Sequence, residues 1–83
     1  MQSVIRTTGQ LGPVLRSLRK ARGWSQAQLG RRVGLSQERI SAIESRPERI
    51  PVNQLLTVLM ALDAEFMVST REPRAPAVEK DGW

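Results

Sequence analysis

The spacing of apolar residues predicts two helices that flank the centre of the chain. From Gln10 to Arg22, apolar residues recur at the helical spacing i, i+3, i+4 and i+7, and they are Leu11, Val14, Leu15 and Leu18. We expect Gly12 and Pro13 in the first turn of this helix, because a proline further along would remove a backbone hydrogen bond.

The second flanking helix, from Pro51 to Leu62, has apolar residues on more than one side. A helix with two apolar sides packs against two neighbours, so we expect one side in the core and part of the other against a second subunit. The residues assigned to the core are Leu55, Leu59 and Leu62.

Two shorter helices are predicted between these, within residues 25–45. Ser25 begins a Ser-x-x-Gln capping box at the start of the first of them, and Gly34 ends it. Ser36 is a good N-cap for the second, in which Ile40 and Ile43 face inward. The side chains left to face solvent are Gln37, Glu38, Arg39, Ser41 and Ala42. Amide, hydroxyl and guanidinium groups bind base edges and phosphates, whereas a solvated helix without a ligand is the alternative interpretation.

The amino-acid composition limits the kinds of ligand and reaction that the protein can have. The 83 residues include 13 Lys plus Arg and eight Asp plus Glu, for a net charge of +5, and no Cys or His. Residues 1–71 carry 11 cations and five anions, so the positive charge lies in the predicted helical region and favours a polyanionic partner. Without Cys, His, a glycine-rich phosphate loop or clustered carboxylates, we expect no enzyme activity, no metal site and no cofactor.

Length and hydropathy limit the number of domains and the location of the protein in the cell. A chain of 83 residues predicts one small domain, to which dimerisation would add stability. No apolar run approaches the roughly 20 residues of a membrane span, and no signal peptide is recognisable. We therefore expect a cytoplasmic protein that does not associate with membranes.

Residues 24–44 resemble the helix-turn-helix of the phage-repressor and Xre type. The matching positions are Trp24-Ser25-Gln26, Leu29-Gly30, Val33-Gly34-Leu35-Ser36, Ile40-Ser41 and Ile43-Glu44. The resemblance implies a four-helix domain that binds double-stranded DNA, within residues 10–71, with a recognition helix at residues 36–45. One departure is the segment Arg46–Pro51, where many members have Asn-Gly, so we expect a reshaped loop there.

The resemblance also implies roles for individual side chains. The positions that read base edges would be Gln37, Glu38, Ala42 and Arg39, and Arg39 also falls where members hold a phosphate. The remaining phosphate contacts would come from Gln26, Ser36, Ser41 and Arg19. Arg19 is further implied to pair with Glu44 and so to brace the recognition helix, which sequence spacing alone could not show.

Trp24 is expected to cover this junction rather than to stack on a base. Because a carboxylate repels phosphates, Glu38 is expected to accept from a cytosine amino group or to pair with Arg39 or Arg31.

Residues 65–71, with the sequence EFMVSTR, give the one good strand signal in the chain. A lone strand leaves its backbone groups unpaired, and the same strand of a second chain would satisfy them by antiparallel pairing across a two-fold axis. We therefore predict an all-α fold with one added strand, in a homodimer whose interface contains Phe66, Met67, Val68, Leu56 and Met60. Pairing with Val4 and Ile5, in an N-terminal arm of residues 1–9, is the competing arrangement.

Residues 72–83 contain two prolines and scattered charge, so we expect a flexible tail that is disordered in isolation. The last residue, Trp83, is interpreted as an anchor for a partner or a handle for proteolysis, and a terminal Trp without a role is the alternative.

The order of four helices, dimer strand and tail ending in Trp resembles the HipB-like antitoxins. This resemblance implies a type II toxin–antitoxin pair, in which the protein represses its own operon at a palindromic operator and neutralises a HipA-like Ser/Thr kinase toxin. Two alternatives are a stand-alone Xre-type regulator without a toxin, and an interaction module that binds nucleic acid or protein without operator specificity.

Overall fold

A computed structural model describes residues 2–71, which form four α-helices and one short 3₁₀ turn. The helices are α1 (Thr8–Ala21), α2 (Gln26–Val33), α3 (Gln37–Ser45) and α4 (Val52–Ala61), and the 3₁₀ turn (Pro47–Arg49) lies between α3 and α4. The four predicted helices are therefore confirmed. Within the described residues, no helix is both long enough and apolar enough to span a bilayer.

Helix α1 begins earlier than the apolar spacing predicted. Thr7 is its N-cap in extended conformation, and the side-chain oxygen of Gln10 accepts a hydrogen bond from the Thr7 N–H at 3.0 Å. Pro13 consequently lies inside the helix, so the expectation that Gly12 and Pro13 occupy the first turn is wrong. The Thr-x-x-Gln signal that sets the earlier start begins at Thr7, inside the predicted arm of residues 1–9, and ends at Gln10. The helix continues past Pro13 because the proline removes only one hydrogen bond and its ring is exposed.

The core lies between the four helices and holds α3 in place. Its fully buried side chains are Leu15, Leu29, Ile40, Ile43 and Val58. The rest of the buried apolar cluster consists of Leu11, Ile50, Leu55, Leu59 and Leu62. Burial of one such side chain stabilises the fold by about 1.5–3 kcal/mol. The predicted inward stripe of Ile40 and Ile43 is confirmed, and it anchors α3 by two side chains of zero exposure.

Two glycines allow the other helices to approach α3 closely. Gly12 of α1 lies against the backbone carbonyl of Glu44 near the end of α3, and a Cβ at this position would collide with that oxygen. Gly30 of α2 lies in the same way against the carbonyl of Leu35 in the turn before α3. Because both obstacles are backbone atoms, neither glycine can be replaced without a shift of the main chain.

Helix α4 has one buried and one exposed apolar side, as predicted. Leu55, Leu59 and Leu62 are buried, which confirms their assignment to the core. On the other side, Leu56 is 42% exposed and Met60 is 75% exposed. Large apolar side chains that lie together on an exposed helix face indicate a surface that a partner covers.

The segment after α4 has no regular secondary structure through residue 71. Asp63 ends the helix in a left-handed conformation with a φ of 59°. The predicted strand at 65–71 is not formed within one chain, since a strand that pairs only across a two-fold axis has no partner there. It stays a prediction, and Phe66, Met67 and Val68 are exposed. The competing pairing with Val4 and Ile5 is not formed, since residues 2–71 contain no strand. The predicted tail at 72–83, with Trp83, lies outside the described residues.

Candidate nucleic-acid interface

Local hydrogen bonds set the starts of α2 and α3 where the sequence predicted them. The Ser25 hydroxyl oxygen accepts from the Gln28 N–H at 3.1 Å, and the Gln28 side-chain oxygen accepts from the Ser25 N–H at 2.7 Å. Gly34 ends α2 with a φ of 73°, a conformation that glycine adopts without strain. The Ser36 hydroxyl oxygen then accepts from the Arg39 N–H at 3.0 Å. Both capping predictions are confirmed, and they fix the sharp turn between the two helices.

The N-terminal half of α3 presents polar side chains to solvent. Gln37 and Glu38 are exposed, whereas Ser41 and Ala42 are half-buried one turn further along the helix. Glu38 forms no ion pair with another described residue, so the predicted pairing with Arg39 or Arg31 is not present. Its carboxylate lies in the first turn of α3, where the helix dipole favours negative charge.

A buried ion pair connects α1 to the end of α3. The Arg19 Nε donates to Glu44 Oε2 at 2.6 Å, and the Arg19 Nη2 donates to Glu44 Oε1 at 3.1 Å. Arg19 is 7% exposed and Glu44 is 3% exposed, and Arg16 adds a second cation 3.7 Å from the carboxylate. The pair that the family resemblance implied is therefore present. With so little exposed surface, Arg19 acts as a brace in this geometry, and its contact with a phosphate stays a prediction.

Trp24 covers this junction, as predicted. The residue is half-buried in the turn between α1 and α2, and its backbone carbonyl accepts from the Arg19 Nη1 at 2.8 Å. The guanidinium of Arg32 lies 4.1 Å from the centre of the indole ring, and that of Arg22 lies 5.5 Å from it. These cation–π contacts and the bonded carbonyl make Trp24 part of the fold rather than a free stacking surface.

Two glutamine side chains link the buried pair to the exposed face of α3. The Gln26 Nε2 donates to Glu44 Oε1 at 3.1 Å, and the Gln37 Nε2 donates to Gln26 Oε1 at 2.8 Å. Gln26 and Gln37 were each predicted to contact DNA, but nothing in the sequence indicated that they contact each other. The structure places a predicted phosphate contact directly beside a predicted base reader.

Arg39 is held by a residue of α4 that the sequence did not single out. Its Nε donates to the side-chain oxygen of Gln54 at 2.7 Å, and the side chain is half-buried. Neither terminal nitrogen of the guanidinium bonds another of residues 2–71, so both can donate to a phosphate or a guanine. Polarity does not distinguish Gln54 in the sequence, because Asn53 and Thr57 are also polar residues of α4.

Most of the cations in the described residues have no carboxylate partner. Ion pairs connect Arg16 and Arg19 to Glu44, and Arg22 to Asp63 at 3.6 Å. The described cations that form no ion pair are Arg6, Lys20, Arg31, Arg32, Arg39, Arg46, Arg49 and Arg71. The surface of the described residues therefore keeps a net positive charge, which attracts a polyanion.

Comparisons with known proteins agree with this geometry. Antitoxin HipB of Escherichia coli strain K12 is 24% identical over 67 residues, which cover 81% of this chain and 76% of HipB. The solved HipB–O4 20mer complex has the same fold, with a TM-score of 0.78 at 22% identity, over 86% of this chain and 100% of that chain. The HipA–HipB–O2–O3 complex contains a chain with equal values. Residues 10–66, more than half of the chain, match the helix-turn-helix domain family. The chain thus belongs to the helix-turn-helix domain family, with a fold shared with HipB.

Proposed function

We propose that this protein is a homodimeric, sequence-specific repressor that binds double-stranded DNA and acts as the antitoxin of a type II toxin–antitoxin pair. The observation that carries the proposal is the construction of α3. Gln37 and Glu38 project into solvent, while Ile40 and Ile43 anchor the same helix in the core. A helix anchored on one side and polar on the other can enter a major groove without a change of fold.

Four side chains of α3, of which Gln37 and Glu38 are exposed and Arg39 and Ala42 are half-buried, match the chemistry of base edges. The Gln37 amide suits adenine, the Glu38 carboxylate suits the cytosine amino group, and the Ala42 methyl suits the thymine methyl. The free terminal nitrogens of Arg39 suit guanine or a phosphate. A good bidentate contact of this kind contributes about 1–3 kcal/mol of discrimination against the wrong base.

Phosphates would bind at the starts of α2 and α3. Gln26 and Ser36 lie at these helix N-termini, where free N–H groups and the helix dipole attract anions. Ser41 would add a hydroxyl contact one turn further along α3. Cations that pair with no carboxylate in the described part of the chain, such as Arg31 and Arg46, would add attraction that weakens as the salt concentration rises.

Dimerisation would set the spacing between two copies of α3. The proposed interface consists of Leu56 and Met60 on α4 together with Phe66, Met67 and Val68, and all five apolar side chains are exposed. If these surfaces meet across a two-fold axis, the two recognition helices enter successive major grooves about 34 Å apart. A palindromic operator follows from this symmetry.

The partner and the regulatory role rest on similarity to HipB. HipB is an antitoxin, and a solved complex contains it together with HipA. By this similarity, the protein would repress its own operon in the cytoplasm and neutralise a HipA-like Ser/Thr kinase. The test is a mobility-shift titration with DNA from upstream of the protein's own gene, beside a purification that asks whether the product of the adjacent gene accompanies it.

Each part of this test has a possible result that would contradict the proposed function. Equal affinity for the upstream duplex and a shuffled duplex of the same composition would contradict operator recognition and favour a non-specific interaction module. Specific operator binding by a protein that never accompanies a kinase-like neighbour would contradict the antitoxin role and leave a stand-alone regulator.

A further inference from the structure

One side-chain hydrogen bond joins the recognition helix to α4. The Arg39 Nε donates to the Gln54 Oε1 at 2.7 Å, and both residues are half-buried. Both residues lie in the first turn of their helices, which begin at Gln37 and Val52, so the bond lies where the starts of α3 and α4 meet. We call the side chains of Arg39 and Gln54 the donor fork.

The hydrogen bond fixes the orientation of the Gln54 amide. An arginine side chain carries donors and no acceptor, so Gln54 must turn its oxygen towards Arg39. The NH₂ group of the same amide then points away from the Arg39 Nε, and it bonds no other side chain or backbone group in residues 2–71. In the reversed orientation, two donors would face each other and the 2.7 Å bond would be lost. Such a loss corresponds to a factor of roughly two to ten in an equilibrium constant.

The groups that the donor fork leaves for a ligand are donors. They are the two terminal nitrogens of Arg39 and the Nε2 of Gln54, whereas the Gln54 oxygen is turned towards Arg39. No carboxylate in the described part of the chain pairs with Arg39, so its positive charge is not neutralised there. The donor fork therefore fits a ligand that offers adjacent acceptors and disfavours one that offers a donor.

Two parts of a DNA duplex offer adjacent acceptors without a donor. In the major groove, guanine presents N7 and O6, whereas adenine and cytosine each present an amino donor. Along the backbone, each phosphate presents its oxygens. We propose that Gln54 is a DNA-binding residue, which together with Arg39 donates to adjacent acceptors of a guanine or a phosphate. The proposal rests on the proposed DNA-binding function and adds a contact from α4, outside the helix-turn-helix formed by α2 and α3.

The test compares Gln54→Glu with Asn53→Asp, which adds the same charge at the neighbouring exposed residue. Glutamate keeps an oxygen for the Arg39 Nε but replaces the NH₂ group with a second oxygen, which repels an acceptor. In fluorescence anisotropy titrations with the operator duplex, the loss of affinity should be roughly two- to tenfold greater in Gln54→Glu than in Asn53→Asp. Equal losses in the two variants would overturn a DNA contact by Gln54.

Modified duplexes identify the acceptor. Operator positions are replaced one at a time by a guanine analogue with carbon in place of N7, or by a methylphosphonate, which lacks a charged phosphate oxygen. At one position, the replacement should weaken binding of the unmodified protein, and this effect should be roughly two- to tenfold smaller in Gln54→Leu, which has lost the donor. The analogue that shows this behaviour identifies a guanine or a phosphate. Equal effects on the two proteins at every position would overturn the proposal.

A measurement without DNA tests the donor fork itself. In NMR spectra of the free full-length protein, the Arg39 Nε–H should exchange slowly with water and show a contact with the Gln54 side chain. Both features should disappear in Gln54→Leu and remain in Asn53→Leu. An Arg39 Nε–H that exchanges as fast as that of an exposed arginine would overturn the proposal. Failure of the unmodified protein to distinguish the operator from a shuffled duplex would instead overturn the proposed function.

Discussion

Replacement of Gly12 by Ala should separate α1 from the end of α3. The added Cβ would collide with the backbone carbonyl oxygen of Glu44, and the Glu44 carbonyl carbon would lie 3.4 Å from it. That carbonyl belongs to α3 and cannot rotate away as a side chain can. The main chain of one of the two helices must therefore shift, and the Arg19–Glu44 pair beside it would be strained.

The expected cost follows from two opposing effects. Overpacking of a well-packed core costs about 1–3 kcal/mol, and a fixed backbone obstacle places Gly12→Ala at or above the upper end of that range. Alanine is more favourable than glycine inside a helix by about 1 kcal/mol. The net loss of unfolding free energy should be about 2 kcal/mol, which lowers the Tm of a domain of this size by roughly 8–16 °C.

Thermal and urea unfolding followed by circular dichroism measure this loss, with Gly9→Ala as the control in the same helix. A Cβ at Gly9 would meet only the Thr7 hydroxyl oxygen at 3.9 Å, so this variant should gain about 0.5–1 kcal/mol. Gly12→Ala should also weaken operator binding, because the end of the recognition helix moves. Equal stabilisation by the two variants would refute the close approach of α1 to α3.

Three further substitutions probe the brace, the recognition helix and the dimer. Arg19→Met leaves Glu44 buried without its main partner and should cost about 3–5 kcal/mol in urea unfolding. Gln54→Leu frees the guanidinium of Arg39 and should lower operator affinity roughly three- to tenfold, with an unchanged salt dependence, in fluorescence anisotropy titrations. Phe66→Asp places a charge in the proposed dimer interface, so sedimentation should give a mass near 9.3 kDa and operator affinity should fall as far as it does without Gln37.

Each of these substitutions has either a control variant or a result that would contradict its prediction. Arg22→Met removes an exposed ion pair and the longer of the two cation–π contacts on Trp24, and it should cost about 1 kcal/mol or less, so a loss equal to that of Arg19→Met would contradict the bracing role. Asn53→Leu is the neighbouring exposed change for Gln54→Leu, and equal losses of affinity in the two would show that Arg39 is not oriented by Gln54. A stable dimer with full operator affinity in Phe66→Asp would contradict the proposed interface.

The helices and their caps were predictable because the signals that set them are local. Ser25, Gly34 and Ser36 each act on backbone groups within a few residues, so the sequence alone placed the turn between α2 and α3. The start of α1 is equally local, because Thr7 and Gln10 set it, whereas the apolar spacing alone predicts a later start. The exposed apolar side of α4 was predictable because that helix has more apolar residues than one core face can hold.

The contacts within the candidate interface were not predictable in the same way. Gln26 and Glu44 are 18 positions apart, and Arg39 and Gln54 are 15 apart, so their hydrogen bonds depend on how the helices pack. Gly12 carries no sequence signal for the carbonyl it lies against. The Arg19–Glu44 pair was anticipated only through family resemblance. The strand at 65–71 depends on a second chain, so it stays a prediction of the sequence.

The most direct test of sequence-specific reading by α3 is the affinity of the unmodified protein and of Gln37→Ala for two duplexes at one salt concentration. One duplex carries the operator, and the other carries the same bases in shuffled order. Gln37→Ala should lose about 1–3 kcal/mol of binding free energy on the operator and almost none on the shuffled duplex, because phosphate contacts are unaffected. Equal losses on the two duplexes would contradict base reading by Gln37 and the account of α3 as a recognition helix.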